Sequence, residues 1–174
     1  MPCGCRVPVE KYPETADWGP LFWKLLHGLA EFAGTLNSGV STTMEVLQAD
    51  ERREWFLVLT LLQDVLPCDV CKEHYGRWIA KHKPVLVKEL PYNQLNTWIR
   101  TFLWRLHNEI NIVNDKNTFS YSSLSDTYKG TDITKAWKQL EPVILKAIKL
   151  NGLTLFPWKK WLGHVRMLQG IYGV

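Results

Sequence analysis

The sequence predicts an all-α fold, a four-helix bundle with an additional helical C-terminal extension, and three observations predict it. Apolar residues recur at three- and four-residue spacing over long stretches, no run alternates apolar with polar residues, and Pro or Asn-Gly breaks separate the periodic stretches. No internal repeat is present. A length of 174 residues with 46% hydrophobic content suits one packed domain with a modest extension.

Residues 1–17, with Pro2, Pro8 and Pro13 and little periodicity, read as an extended or mobile arm, so the folded part is expected from near Trp18. From Gly19 to Thr35 the positions Leu21, Phe22, Leu25, Leu26, Leu29 and Phe32 recur at helical spacing, with Pro20 suited to the first turn. A second helix is expected over Met44 to Leu66, strongest from Arg53 and stopped by Pro67. The third begins at Cys68 and runs through Tyr75, Trp78 and Ile79 to the His82-Lys83-Pro84 break. The fourth, from Tyr92 to Val113, carries the clearest stripe: Leu95, Trp98, Ile99, Phe102, Leu103, Leu106 and Ile110.

Residues 114–131 are polar and turn-rich, and helices near 133–150 and 157–171 follow, parted by Asn151-Gly152. The domain reading is therefore an arm at 1–17, a central unit at 18–131 and an extension at 132–174. In the extension, Trp158, Trp161, Val165 and Leu168 face either the core or a partner, and packing is the preferred reading.

Charged residues make up 22% of the chain and are well mixed, so the net charge of +4 does not form the stripe that nucleic acid requires. Lys159, Lys160 and Arg166 read as a solvated helix face. Even the most apolar stretch, Trp55 to Leu66, is cut by Thr60, Gln63 and Asp64, so no membrane span is expected. The first twenty residues resemble neither a signal peptide nor a transit peptide, which makes a soluble intracellular location the expectation. Nine tryptophans serve either as core or as flat walls for a ring-shaped ligand.

Four cysteines form two close pairs, Cys3-Gly-Cys5 and Cys68-Asp-Val-Cys71. Two chemistries use such pairs: a closed tetrathiolate zinc site built from all four, or dithiol–disulfide exchange. Pro67 ends one helix and Cys68 opens the next, so the sulfur lies by free N–H groups at a positive helix end, where thiolates are favoured. A thioredoxin-like unit is disfavoured because it needs a strand before its Cys pair. Three groups could meet at one end of the bundle: Trp23 with His27, Cys68 and Cys71 with His74 and Tyr75, and His107 with Asn108 and Asn111. Flat walls with amide and imidazole donors suit a purine or a flavin.

Three ordered motifs over residues 18–128 resemble those of the FAD-linked Erv/ALR-type sulfhydryl oxidases, a family with members in large DNA viruses. Trp18 to Ala30 is similar to the family's Gly-Arg-x-x-Trp-x-x-Leu-His-x-x-Ala helix, with Pro20 where Arg is usual. Pro67-Cys68-Asp69-Val70-Cys71-Lys72-Glu73-His74-Tyr75 resembles the Pro-Cys-x-x-Cys-x-x-His-Phe/Tyr active site. Leu106 to Asn111, with Lys116 and Phe119, is similar to the flavin-binding run, although Asn114 replaces Leu and Tyr121 replaces a structural Cys.

The resemblance implies bound FAD, with His27, His74, Tyr75, His107, Asn108, Ile110, Asn111 and Lys116 binding it and Trp23 and Tyr128 packing on it. It further implies that Cys71 is the flavin-proximal thiol, that Cys68 exchanges with incoming thiols, and that electrons pass to O2 with release of hydrogen peroxide, or to another acceptor. Cys3 and Cys5 then read as a shuttle, since a one-residue spacer closes a small, strained and oxidising ring. Implied partners are thiol-containing protein substrates or a small dithiol relay protein, with a homodimer as the assembly. The implied setting is host cytoplasm or virion, with the mitochondrial intermembrane space as the alternative.

Overall fold

The computed structural model describes residues 13–36 and 41–174. Helix α1 (Thr15–Ala30) starts before the apolar pattern does. The Glu14 N–H donates to the Asp17 carboxylate at 3.2 Å and the Asp17 N–H donates to the Glu14 carbonyl at 2.9 Å, so polar capping residues build a first turn that the apolar spacing does not reveal. Pro20 consequently lies inside α1 and not in its first turn, as a correction to the sequence reading. The helix also stops short of Thr35, because the chain turns at residues 31–34. Gly34 has φ +68°, a conformation that a Cβ would oppose and in which a Cβ would lie 3.1 Å from the Asn96 backbone nitrogen, and its N–H donates to the Glu51 carboxylate at 2.8 Å.

Helix α2 (Thr42–Leu61) gives way to a 3-10 turn at Leu62–Val65 in place of its expected last turn. Helix α3 (Asp69–His82) follows with Cys68 as its N-cap. Left-handed Lys83 and a 3-10 turn at Pro84–Lys88 then lead to α4 (Leu95–Val113), whose expected first residues at 92–94 are a 3-10 turn instead. The polar stretch contains one short helix, α5 (Leu124–Tyr128), which no periodicity announces. Helices α6 (Ile133–Lys149) and α7 (Leu155–Tyr172) complete the chain. The fold is all-α, with no strand among the described residues.

α1 packs on α4 and α6, while α2 packs on α7 and the 84–88 turn. Side chains from both parts of the chain share one core: Leu25, Trp55, Ile99 and Leu103 are fully buried, and so are Ile144, Trp161, Val165 and Leu168. Burial of each such side chain contributes roughly 1.5–3 kcal/mol. Two of the core indoles are satisfied, since Trp161 Nε1 donates to the Val58 carbonyl at 3.0 Å and Trp55 Nε1 donates to the Tyr172 hydroxyl at 2.7 Å, whereas the buried N–H groups of Trp18 and Trp78 have no partner among the described residues. Phe22 of α1 meets both Trp158 and Trp161, which ties α7 to the first helix.

Candidate active site

Pro67 is buried, and the chain emerging from it is extended at Cys68 before α3 begins. Cys68 and Cys71 are joined as a disulfide. The Cys68 sulfur accepts a hydrogen bond from the Cys71 N–H at 3.3 Å, so the outer sulfur sits on the first-turn donors of α3. Those donors and the helix dipole favour negative charge there. Asp69 in the same turn is paired with Lys72 at 3.0 Å, which offsets its opposing charge.

Between α1, α3 and α4 lies a cavity of about 170 Å³ with largely apolar walls. Trp18 and Trp23 supply one side, Leu106 and Ile110 another, and Cys71 and Tyr75 a third. Cys71 lines this cavity, and Cys68 does not. The two sulfurs therefore differ in one respect, that Cys71 alone borders the apolar cavity, while both cysteines are half-buried and pack against the core. The Tyr75 hydroxyl donates to the Leu59 carbonyl at 2.5 Å, and burial pushes its phenol well above the ordinary range, so it is a wall and not an acid. His74 also lines the cavity.

A cluster of rings adjoins through Trp23. Trp23 stacks on His107 with centroids 4.0 Å apart and planes 8° apart, and His27 Nε2 lies 3.2 Å from His107 Nδ1. Tyr128 stacks on His27 at 4.5 Å, and Phe119 meets His107 edge-on at 4.9 Å. Burial first, then His107 and Arg100, lowers His27 to about 3. Burial and then Lys116 lower His107 to about 4. Both imidazoles are thus neutral near pH 7, as suits rings that stack and hydrogen-bond and do not hold an ion.

Asn108 has a different task. Its Nδ2 donates to the Phe119 carbonyl at 2.9 Å and its Oδ1 accepts from the Phe119 N–H at 3.1 Å, which clamps the loop after α4 over the ring cluster. Trp104 Nε1 donates to the same carbonyl at 2.9 Å. Tyr121 packs edge-on against Trp104 at 5.7 Å and under Arg100, so side-chain packing ties this segment down without a cross-link.

Of the residues singled out in the sequence, Trp23, Cys71, His74, Tyr75 and Ile110 line the cavity. His27, His107 and Tyr128 form the ring cluster behind Trp23. Asn108 and half-buried Asn111 of α4 hold the loop that follows, in which exposed Lys116 lies. Cys3 and Cys5 lie outside the described residues. Sequence reasoning did not name Leu62, Leu66 and Leu106 as cavity walls, since their apolar spacing is equally that of core.

The closed zinc site fits poorly with this geometry, because sulfurs joined as a disulfide are not thiolate ligands. Among the described residues no group of three or more His, Cys, Asp or Glu could hold a metal ion. Helices and a 3-10 turn flank the Cys pair, unlike the strand that a thioredoxin-like unit requires.

The chain is similar to the FAD-linked sulfhydryl oxidase of African swine fever virus, 26% identical over 133 residues that cover 71% of this chain and 98% of the relative. No solved structure matches the chain. The pattern of the Erv1 / Alr family matches residues 21–129, which hold the Cys pair, most of the cavity wall and the ring cluster, and the chain belongs to that family.

Proposed function

We propose that this protein is an FAD-linked sulfhydryl oxidase that forms disulfide bonds in thiol-containing protein substrates. The observation that carries the reading is the two-sided disulfide: Cys71 faces a ring-walled cavity and Cys68 does not. The residues fit the cofactor, since the cavity beside Cys71 takes a flat apolar ring, the neutral His27 and His107 faces extend it, and Lys116 offers a cation toward phosphate. Trp23, His74, Tyr75 and Ile110 would hold the ring, with His27, His107, Asn108, Asn111, Lys116 and Tyr128 serving the remainder. FAD, when bound, supplies two-electron acceptance from a dithiol and reoxidation by O2 with release of hydrogen peroxide.

The chain's own part is thiol exchange. A substrate thiolate attacks the Cys68 sulfur, the Cys68–Cys71 bond breaks, and Cys71 leaves as a thiolate into the cavity. A second substrate thiolate then attacks the substrate sulfur of the mixed disulfide and Cys68 leaves, stabilised by the first-turn donors of α3. Two electrons pass to the Cys pair, and the substrate protons go to solvent or to the released sulfurs.

Within this reading residues 18–131 form the oxidase unit, 132–174 an extension, and 1–17 an arm on which Cys3 and Cys5 relay electrons to Cys68. A homodimer, a small dithiol relay partner and a viral setting in host cytoplasm or virion rest on family resemblance and on the viral relative. Among the described residues no helix is long and apolar enough to cross a membrane.

Oxygen uptake tests the proposal. With dithiothreitol as substrate, one O2 consumed and one hydrogen peroxide formed per dithiol is the expected stoichiometry. A flavin-loaded protein that takes up no oxygen on adding dithiol would sink it.

A further inference from the structure

Charge is mixed over the chain as a whole but uneven along it. Residues 132–174, beyond the 21–129 that match the family, hold seven Lys or Arg against two Asp or Glu, while the rest of the chain is close to neutral. Helix α7 carries three of these cations, Lys159, Lys160 and Arg166, and no Asp or Glu at all. All three are exposed, and none has an ion-pair partner among the described residues.

At helical spacing Phe156, Lys159, Lys160, Gly163, Arg166 and Met167 share one face of α7, and every one of them is exposed. The opposite face, with Trp158, Trp161, Val165 and Leu168, is buried in the core, so α7 is held rigidly with this strip outward. The reading of Lys159, Lys160 and Arg166 as a solvated face is therefore incomplete, because Phe156 at 77% and Met167 at 51% exposure stand among the cations. Phe156 and Met167 lie roughly 17 Å apart along the helix, one toward each end of the strip. No described segment covers it, since a Cβ on Gly163 or on Gly170 would meet nothing within 4 Å.

We propose that this face lays α7 flat on an anionic lipid surface, with Lys159, Lys160 and Arg166 against the headgroup anions and Phe156 and Met167 set between the headgroups. Cations alone call for an anionic partner, and large apolar side chains among them call for one with an apolar layer beneath its charge. A second copy of the same face is opposed by the like charges, which no acidic residue of α7 offsets. A nucleic acid would satisfy the cations and leave Phe156 and Met167 in water, whereas a bilayer interface takes up both. Where the chain oxidises thiols as proposed, docking through α7 confines that activity to proteins at the surface.

Flotation of the full chain with vesicles of phosphatidylcholine, with and without phosphatidylserine, tests this. Binding is expected only with phosphatidylserine, and it should weaken as salt rises. Lys159→Gln/Lys160→Gln should weaken it about thirtyfold and Phe156→Ser about tenfold, with the urea midpoint of each variant unchanged because these side chains are exposed. Failure to bind phosphatidylserine vesicles overturns the proposal, as does equal binding to phosphatidylcholine alone. So does binding that Phe156→Ser leaves level, since RNA or any other polyanion would then satisfy the face as well. None of these outcomes bears on the oxidase reading, which has its own test.

Discussion

Glu51 on the α2–α7 side and His27 on the α1–α4 side are both buried, at 0% and 1% exposure, yet their surroundings differ in kind. The Glu51 carboxylate accepts from the Gly34 N–H at 2.8 Å and from the Tyr92 and Tyr172 hydroxyls at 2.5 and 2.7 Å, so its lone pairs are taken by groups drawn from three separate segments. His27 meets another imidazole and the face of a tyrosine, with no carboxylate to hold a charge. One network is complete as it stands and locks α2 to the chain's last helix. The other offers neutral ring faces next to a cavity and a disulfide, the place proposed for the flat ligand.

The comparison breaks most sharply at the sulfurs. Cys71→Ser or Cys68→Ser should lower thiol oxidation about a thousandfold or more while FAD stays bound and unfolding is little changed, as removal of an exchanging nucleophile demands. Substantial turnover by Cys68→Ser would reject the exchange mechanism. On the opposite side, Glu51→Ala leaves two hydroxyls and one N–H without their acceptor, which should cost about 3 kcal/mol of stability by urea unfolding with turnover per folded molecule preserved.

At the seam between α1 and α6 the expected effect is smaller. A Cβ on Gly28 would lie 2.8 Å from Ile133 Cδ1 and from Thr131 Cγ2, so Gly28→Ala should destabilise by about 2 kcal/mol. An unchanged midpoint would mean that α6 shifts freely on α1.

The imidazoles give an effect that is read against pH. Their folded values, about 3 for His27 and about 4 for His107, lie below the ordinary 6.5, so below pH 6.5 the unfolded chain binds protons that the folded chain does not. Their contribution to stability is therefore intact above pH 6.5 and declines as pH falls toward 4 and then 3. Urea midpoints stepped from pH 7 to pH 4.5 should fall, and His107→Phe should flatten that slope by about one proton. A slope unaffected by His107→Phe would mean that its imidazole is charged in the fold.

Much of this was legible in the chain. The Leu95, Ile99, Phe102, Leu103 and Leu106 stripe marks α4, and Pro67 marks the start of α3, because both are local signals. The start of α1 was missed because it depends on polar Glu14 and Asp17, and α5 because five residues carry no period. Nothing local could reveal that Glu51 is buried, since Tyr92 and Tyr172 lie 41 and 121 residues away. At the site, motif order brought out Trp23, His27, Cys71 and His107. The clamp made by Asn108 was not legible, because its partner is the backbone of Phe119 and backbone leaves no mark in a sequence.

The central claim, that Cys71 faces a flavin, is tested most directly by the visible spectrum of the purified protein before and after anaerobic dithiothreitol. The account predicts a flavin band at about 450 nm that bleaches with thiol and returns with air, and that fails to bleach in Cys71→Ser. A colourless protein, or a bound flavin that dithiol cannot bleach in the unmodified chain, would contradict it.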